Sequence, residues 1–219
     1  MSQLAPSILA ADFNRLGGQI STIEKTGTEY LHIDVMDGMF VPSISFGMPL
    51  IESIRKESNM FFDVHLMIEE PARYLKEFKD VGADGITVHV EACSDLKRTL
   101  CNIKELGLKP AVAINPNTSV EEVLSVIDMV EMVLVMSVHP GFGGQKLIPK
   151  TLDKVRKLKG IREEKRLKYN IEIDGGINRE NIKEATMAGV DVIVAGTAVF
   201  KGDITDNINY LKEVLENAS

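Results

Sequence analysis

Eight short apolar runs, each followed by a longer stretch of helical pattern, occupy the chain with no break in composition between them. The runs are Leu4 to Ala10, Glu29 to Met36, Phe61 to Ile68, Gly85 to Glu91, Lys109 to Asn115, Met132 to Val138, Ile171 to Asp174 and Val192 to Ala195. Their near-continuous Val, Ile and Leu content is that of parallel strands covered on both faces by helices. The spacing predicts helices over about Phe13 to Lys25 behind an Asp12 N-cap, around Pro49 to Glu57, and from Pro71 to about Val81. It predicts others capped by Ser94 and by Ser119, a charged one beyond Gly144, and two near Arg179 to Ala188 and Asn207 to Glu216. Gly27, Gly82 and Gly189 stand just before strands, where a glycine ends a helix and turns the chain back into the sheet. Eight such units in 219 residues predict an α/β fold, a single (β/α)₈ TIM barrel domain over residues 1–219, rather than an open sheet. In that fold chemistry belongs at the C-terminal ends of the strands.

At the two-residue period of a strand, Leu31, Ile33 and Val35 share one face, and His32, Asp34 and Met36 the other. Phe61 to Met67 repeats the pattern with His65 and Met67 opposite Val64 and Leu66, and Tyr169 to Gly176 alternates isoleucines with Glu172 and Asp174. His32, Asp34, His65 and Asp174 thus stand at or near the ends of apolar strands. Buried together without a shared cation they would destabilise the core by several kcal/mol. The mixed nitrogen and oxygen donors suit one divalent ion per chain, Zn²⁺, Mn²⁺ or Fe²⁺, better than Ca²⁺. Either histidine alone reads as a hydrogen-bonded core residue; the four together read as a metal site. Glu172, lower on its strand, and Asp37, in the turn after Met36, read as structural.

Asp34 and Asp174 come from different sides of the barrel, so one carboxylate can face each side of a substrate whose oxygens the ion holds. Such a pair takes a proton from one face of a carbon beside a carbonyl and returns one to the other face, by way of an enediolate. Met36, Met67 and Met136 project inward, either as plain core or as walls that line the enediolate and exclude water. Three glycine-rich turns follow the last three strands: Pro140-Gly141-Phe142-Gly143-Gly144-Gln145, Gly175-Gly176-Ile177 and Gly196-Thr197. Backbone amides approach anions closely at such turns, and phosphate binding after strands seven and eight recurs in this fold. Gly143 and Gly144 fit a mobile lid equally well.

The 25 basic and 32 acidic residues leave a net charge of −7, so neither nucleic acid nor an anionic membrane is an expected partner. The one basic stretch, Lys154 to Lys168, also contains Glu163 and Glu164 and reads as a solvated helix face. No apolar run approaches the ~18 residues of a membrane span, and no secretion signal is evident. Cys93 and Cys101 are too few and too poorly spaced for a zinc or disulfide framework. The expectation is a soluble, cytoplasmic protein acting on a small molecule.

With these residues identified, the chain resembles the ribulose-phosphate 3-epimerase family of the pentose phosphate pathway. The resemblance rests on Ala5-Pro6-Ser7-Ile8-Leu9-Ala10-Ala11-Asp12-Phe13, on His32-Ile33-Asp34-Val35-Met36-Asp37-Gly38 with Phe40-Val41-Pro42, and on Asp63-Val64-His65-Leu66-Met67. It continues through Met136-Ser137-Val138-His139-Pro140-Gly141-Phe142-Gly143-Gly144-Gln145, Asp174-Gly175-Gly176-Ile177 and Ala195-Gly196-Thr197-Ala198-Val199-Phe200. It implies that His32, Asp34, His65 and Asp174 bind the metal, and that Asp34 and Asp174 are the acid/base catalysts at C3 of the sugar. It implies that Ser7 and His65 contact substrate, and that Gly141, Phe142, Gly143, Gly144, Gly175, Gly176, Gly196 and Thr197 surround the phosphate end. A homo-oligomer, dimer or hexamer, goes with the family. Met39, Ser43, His139 and Thr197 depart from the commonest family residues, but none is a ligand or catalyst in it.

Three alternatives stay open at this level. A D-allulose 6-phosphate 3-epimerase would use the same site on a six-carbon sugar. A barrel isomerase of the amino-acid biosynthetic type needs no metal, and the two strand histidines argue against it. A non-catalytic sugar-phosphate or metal-binding barrel is disfavoured by the presence of both aspartates.

Overall fold

The computed structural model describes residues 2–218. All eight expected strands form: β1 (Gln3–Pro6), β2 (Tyr30–Met36), β3 (Phe61–Met67), β4 (Gly85–His89), β5 (Lys109–Ile114), β6 (Met132–Met136), β7 (Asn170–Asp174) and β8 (Val192–Ala195). They make one parallel sheet in the order β1-β8-β7-β6-β5-β4-β3-β2. The seam between β1 and β2 is bridged in parallel by Ser7 and His32, so the (β/α)₈ barrel closes beside a histidine of interest.

Among the described residues eight α-helices surround the strands: α1 (Leu16–Lys25), α2 (Met48–Arg55), α3 (Leu75–Asp80), α4 (Leu96–Glu105), α5 (Thr151–Lys165), α6 (Ile182–Ala188), α7 (Thr197–Phe200) and α8 (Ile204–Ala218). Outward-facing Leu31, Ile33, Val64, Leu66, Ile171 and Ile173 are buried against helix residues such as Ile20, Ile51 and Leu211 in the main core. Full burial of each such side chain stabilises the fold by about 1.5–3 kcal/mol. The barrel interior is different. Around β5, β6 and β8 it is apolar, with Ala113, Leu134 and Met136 in one cluster and Ala111, Met132 and Val194 in another. Around β2, β3, β4 and β7 it is polar, with His32, Asp34, Asp63, His65, His89 and Glu172 all buried. The ionisable groups therefore come from β2 to β4 and, across the barrel, from β7.

Several helix expectations need correction. Ser119 caps only the 3₁₀ turn Val120–Val123, and among the described residues no α-helix stands between β5 and β6. Val120, Val123 and Val126 recur every third residue and are buried, which suits three residues per turn, and the N–H groups of Val126 and Met129 bond three residues back. Asp95, not Ser94, caps α4, because the Ser94 amide and hydroxyl are both committed to Glu70. Asp12 and Pro71 open short 3₁₀ turns, Phe13–Arg15 and Pro71–Arg73, which precede α1 and α3. The four-residue α7 directly after β8 has no counterpart in the sequence expectation.

The glycine-bounded repeat has a shared structural purpose in the two halves of the barrel. After Gly82, Asp84 Oδ2 accepts the Phe62 N–H at 2.8 Å and a guanidinium N–H of Arg55 at 2.9 Å. After Gly189, Asp191 Oδ2 accepts the Ile171 N–H at 2.7 Å and an N–H of Arg162. Each aspartate thus ties the entry of one strand to the preceding strand and its helix. No helix among the described residues is long and apolar enough to cross a membrane.

Candidate active site

Strand pairing brings the candidate ligands together. In the β2–β3 register His32 lies beside Asp63, Asp34 beside His65 and Met36 beside Met67, so alternate residues of both strands stack up one interior wall. Asp174 ends β7, three strands away around the barrel through β1 and β8. One ligand atom from each of His32, Asp34, His65 and Asp174 lies within 4.8 Å of the others. Nε2 of His32 is 3.3 Å, and Nδ1 of His65 is 3.2 Å, from the same Asp34 oxygen, Oδ1. The other Asp34 oxygen, Oδ2, accepts the Ser7 hydroxyl at 2.6 Å.

The donor chemistry fits a divalent ion. Nδ1 of His32 lies 2.6 Å from Asp63 Oδ2, so its proton is directed there and Nε2 is left facing the cluster. That buried Nε2 has no hydrogen-bond partner among the described residues. Burial opposes a charged ring, yet the carboxylates of Asp34 and Asp63 hold the His32 pKa well above the ordinary imidazole range. A cation between these atoms would meet the same attraction. Burial likewise opposes charge on Asp34, but the neighbouring imidazoles keep its carboxyl well below the usual range. Asp174 is pushed the other way, to about 7, by burial and by the charge of Asp34. The two carboxyl groups therefore sit in unequal environments, which is what a base and an acid of the same type need.

Below this cluster lies a second group. His32, Asp63 and Glu172 also have ligand atoms within 4.8 Å of one another, but there the His32 nitrogen is already bonded to Asp63. Glu172 is fully buried with both oxygens unpartnered among the described residues. Burial and the Asp63 charge push its pKa well above the carboxylate range. Asp37 is used by the turns after β2 and β3, accepting from the amides of Met39, Phe40 and Glu69.

A cleft of about 1460 Å³ opens over the cluster. Its floor carries Ser7, Asp34 and Asp174, its wall Met36, Met67 and Met136, and its far end all three glycine-rich turns. Met36 and Met67 pack together with Val41, while Met136 packs with Ala113 and Leu134. The far end depends on glycine at position 176, where φ is +68° and a Cβ would overlap the Leu147 amide nitrogen and lie 2.8 Å from the Gln145 carbonyl oxygen. The turns after β6 and β7 therefore touch backbone to backbone. No hydrogen bond among the described residues uses the amide N–H of Gly176, Ile177 or Thr197. Gln145 braces the turn after β6 by donating to the carbonyls of His139 and Phe142, and Phe142 itself stands exposed on the rim. Lys146, Arg179 and Lys201 add positive charge to the same end.

Several residues around the cluster escaped the sequence reading. Asp63 sits two residues before His65 on the same face, so the period that picks out His65 also picks out Asp63. His89, on β4, lies with Nε2 2.9 Å from Nε2 of His65, and its Nδ1 is 3.1 Å from Glu91 Oε2. Burial lowers the pKa of His89 to about 4. Glu91 is lowered to about 2: burial raises it, but the bonds to His89, Thr118 and the Asn115 amide outweigh that.

Comparisons with known proteins agree with this geometry. The model of the ribulose-phosphate 3-epimerase family matches residues 3–200. The chain is 48% identical over 201 residues to a ribulose-phosphate 3-epimerase of Bacillus subtilis, covering 91% of this chain and 93% of that one. It is 43% identical over 219 residues to that of Aquifex aeolicus, covering 100% and 99%. Among solved structures, a 3-keto-L-gulonate-6-phosphate decarboxylase from Vibrio cholerae superposes with a TM-score of 0.76 over 100% of this chain and 99% of its own. At 16% identity that likeness establishes the barrel alone.

Proposed function

Because the chain belongs to the ribulose-phosphate 3-epimerase family, and is thus a carbohydrate epimerase, we propose that it interconverts D-ribulose 5-phosphate and D-xylulose 5-phosphate. The observation that carries this reading is the pair Asp34 and Asp174, which line the cleft from β2 and, across the barrel, from β7, with ligand atoms within 4.8 Å of those of His32 and His65.

Inversion at C3 needs a C–H bond broken on one face and formed on the other. In one direction Asp34 accepts the C3 proton through Oδ2, the oxygen that the Ser7 hydroxyl orients. The electron pair of that bond moves toward the C2 carbonyl, giving an enediolate. Asp174, protonated, then delivers a proton to the opposite face of C3, and the roles exchange in reverse. His32, Asp34, His65 and Asp174 would hold the divalent ion, Zn²⁺, Mn²⁺ or Fe²⁺, which supplies a Lewis acid against the negative charge on the substrate oxygens. Met36, Met67 and Met136 offer no hydrogen bond and keep water from the carbanion. Amides of Gly176, Ile177 and Thr197, with Gly141 to Gly144 and Gly196 around them, receive the phosphate. Its distance from the carboxylates sets which carbon they reach.

Conversion of D-ribulose 5-phosphate to the xylulose epimer by the purified protein is expected, lost on dialysis against a chelator and restored by one of the three ions. Full conversion by rigorously metal-free protein would refute the metal part of this reading. No conversion with any ion would refute the whole.

A further inference from the structure

Two buried histidines meet edge to edge inside the barrel, and the contact between them has a direction. Nε2 of His65 is 2.9 Å from Nε2 of His89, with the rings 25° from coplanar. Between two neutral imidazoles that line holds one proton, so one ring donates and the other accepts.

The far side of His89 settles which. Its Nδ1 faces Glu91 Oε2 at 3.1 Å. Glu91 Oε1 accepts the Asn115 amide N–H at 2.8 Å and the Thr118 hydroxyl. The loop that supplies both donors is itself fixed, since Lys154 Nζ donates to the Asn115 and Thr118 carbonyls at 2.7 and 2.5 Å. A carboxylate gripped in this way only accepts, so His89 turns its N–H at Nδ1 toward it. The lone pair of His89 is then at Nε2, His65 donates its Nε2–H there, and the lone pair of His65 is at Nδ1. That nitrogen is the one 3.2 Å from Asp34 Oδ1, inside the candidate metal cluster. Asp34 exerts less pull for a proton on Nδ1, because its charge is already shared by the Ser7 hydroxyl.

We propose that His89 and Glu91 are positioning residues that fix His65 as its Nε2–H tautomer and so present the Nδ1 lone pair to a divalent cation. The relay runs from the Asn115–Thr118 loop through Glu91 and His89 to His65, and it rests on the metal reading above. Groups that orient a ligating histidine in this way typically change metal affinity by roughly 10–100-fold when altered.

Glu91→Gln reverses the relay without changing its shape. The Asn115 and Thr118 donors hold the glutamine carbonyl oxygen, so the NH₂ faces His89 Nδ1 and donates. His89 must then donate from Nε2, and His65 carries its proton at Nδ1. The measurements are zinc affinity by competition with a chromophoric chelator, and ring tautomers by ¹⁵N NMR of histidine-labelled protein. Metal-free wild type is expected to show His65 protonated at Nε2 and His89 at Nδ1. Glu91→Gln is expected to show both reversed and to bind zinc roughly 10–100-fold more weakly. Unchanged tautomers and affinity in Glu91→Gln would overturn the relay while leaving the metal site standing. Should that variant not fold, a wild-type His65 protonated at Nδ1 overturns the relay by itself. Failure of wild type to bind zinc at all would overturn the metal reading and the relay with it.

Discussion

The Ser7 hydroxyl donates to Asp34 Oδ2 at 2.6 Å across the seam between β1 and β2, while Asp34 Oδ1 turns to the two imidazoles. One carboxylate therefore faces three neighbours, the hydroxyl through Oδ2 and both imidazoles through Oδ1. The β1 end is positioned for this by the bridge between Ser7 and His32.

Ser7→Ala removes the bond to Oδ2 and leaves Oδ1 untouched. A hydrogen bond to a charged group contributes about 1.5–3 kcal/mol, so kcat should fall by roughly 10–100-fold. Zinc content per chain should not change. Steady-state kinetics with metal analysis checks both, and an unchanged kcat would remove Ser7 from the proton-transfer step.

Asp174→Asn keeps the shape of the side chain at the cleft floor but cannot carry the proton to C3. Folding should survive, with an unchanged circular dichroism spectrum, and turnover should drop by roughly 10²–10⁴-fold. Full activity in this variant would eliminate the two-carboxylate mechanism.

Gly176→Ala drives a Cβ into the backbone of the turn after β6, where Gln145 to Leu147 pass. That turn and the Gly176 amide must separate, so the far end of the cleft loses its shape while Asp34 and Asp174 keep theirs. KM for the sugar phosphate should rise more than kcat falls, and inorganic phosphate should inhibit less well than it does the wild type. Equal changes in both parameters would mean that this turn supports the chemistry rather than the phosphate.

Asp191→Ala leaves the Ile171 N–H and the Arg162 guanidinium without their shared acceptor at the entry to β7. A loss of about 2–3 kcal/mol is expected, read as a Tm lower by roughly 5–10 °C, with kcat at 25 °C unaltered. Thermal denaturation followed at 222 nm measures it. A Tm within 1–2 °C of wild type, on the same scale, would show that the remaining contacts of β7 suffice.

Strand-level features were legible because a barrel strand exposes its period directly: His32 and Asp34, then His65 and Met67, alternate with aliphatic residues that the helices cover. The region after β5 was not. Its valines satisfy a helical spacing loosely and a three-residue turn closely, and β-branched residues form α-helix reluctantly. His89 and Glu91 were hidden for another reason. On β4 the histidine ends a strand of otherwise neutral residues, and only the three-dimensional neighbour, His65, gives its ring a direction. Ser94 illustrates the same limit, since a good capping residue was taken by Glu70 from a loop 24 positions away. Local chemistry could locate the candidate ligands, whereas the groups that orient them depend on inter-strand register.

The central claim is that Asp34 and Asp174 exchange protons with opposite faces of C3 at a metal-supported site. The most direct measurement is incubation with D-ribulose 5-phosphate in D₂O, with and without a chelator, while NMR follows the C3 proton and xylulose 5-phosphate. We expect deuterium at C3 to appear together with the xylulose epimer, and both to stop on chelation and resume when Zn²⁺, Mn²⁺ or Fe²⁺ is returned. Epimer formed with no deuterium at C3, or no exchange with any of the three ions present, would contradict it.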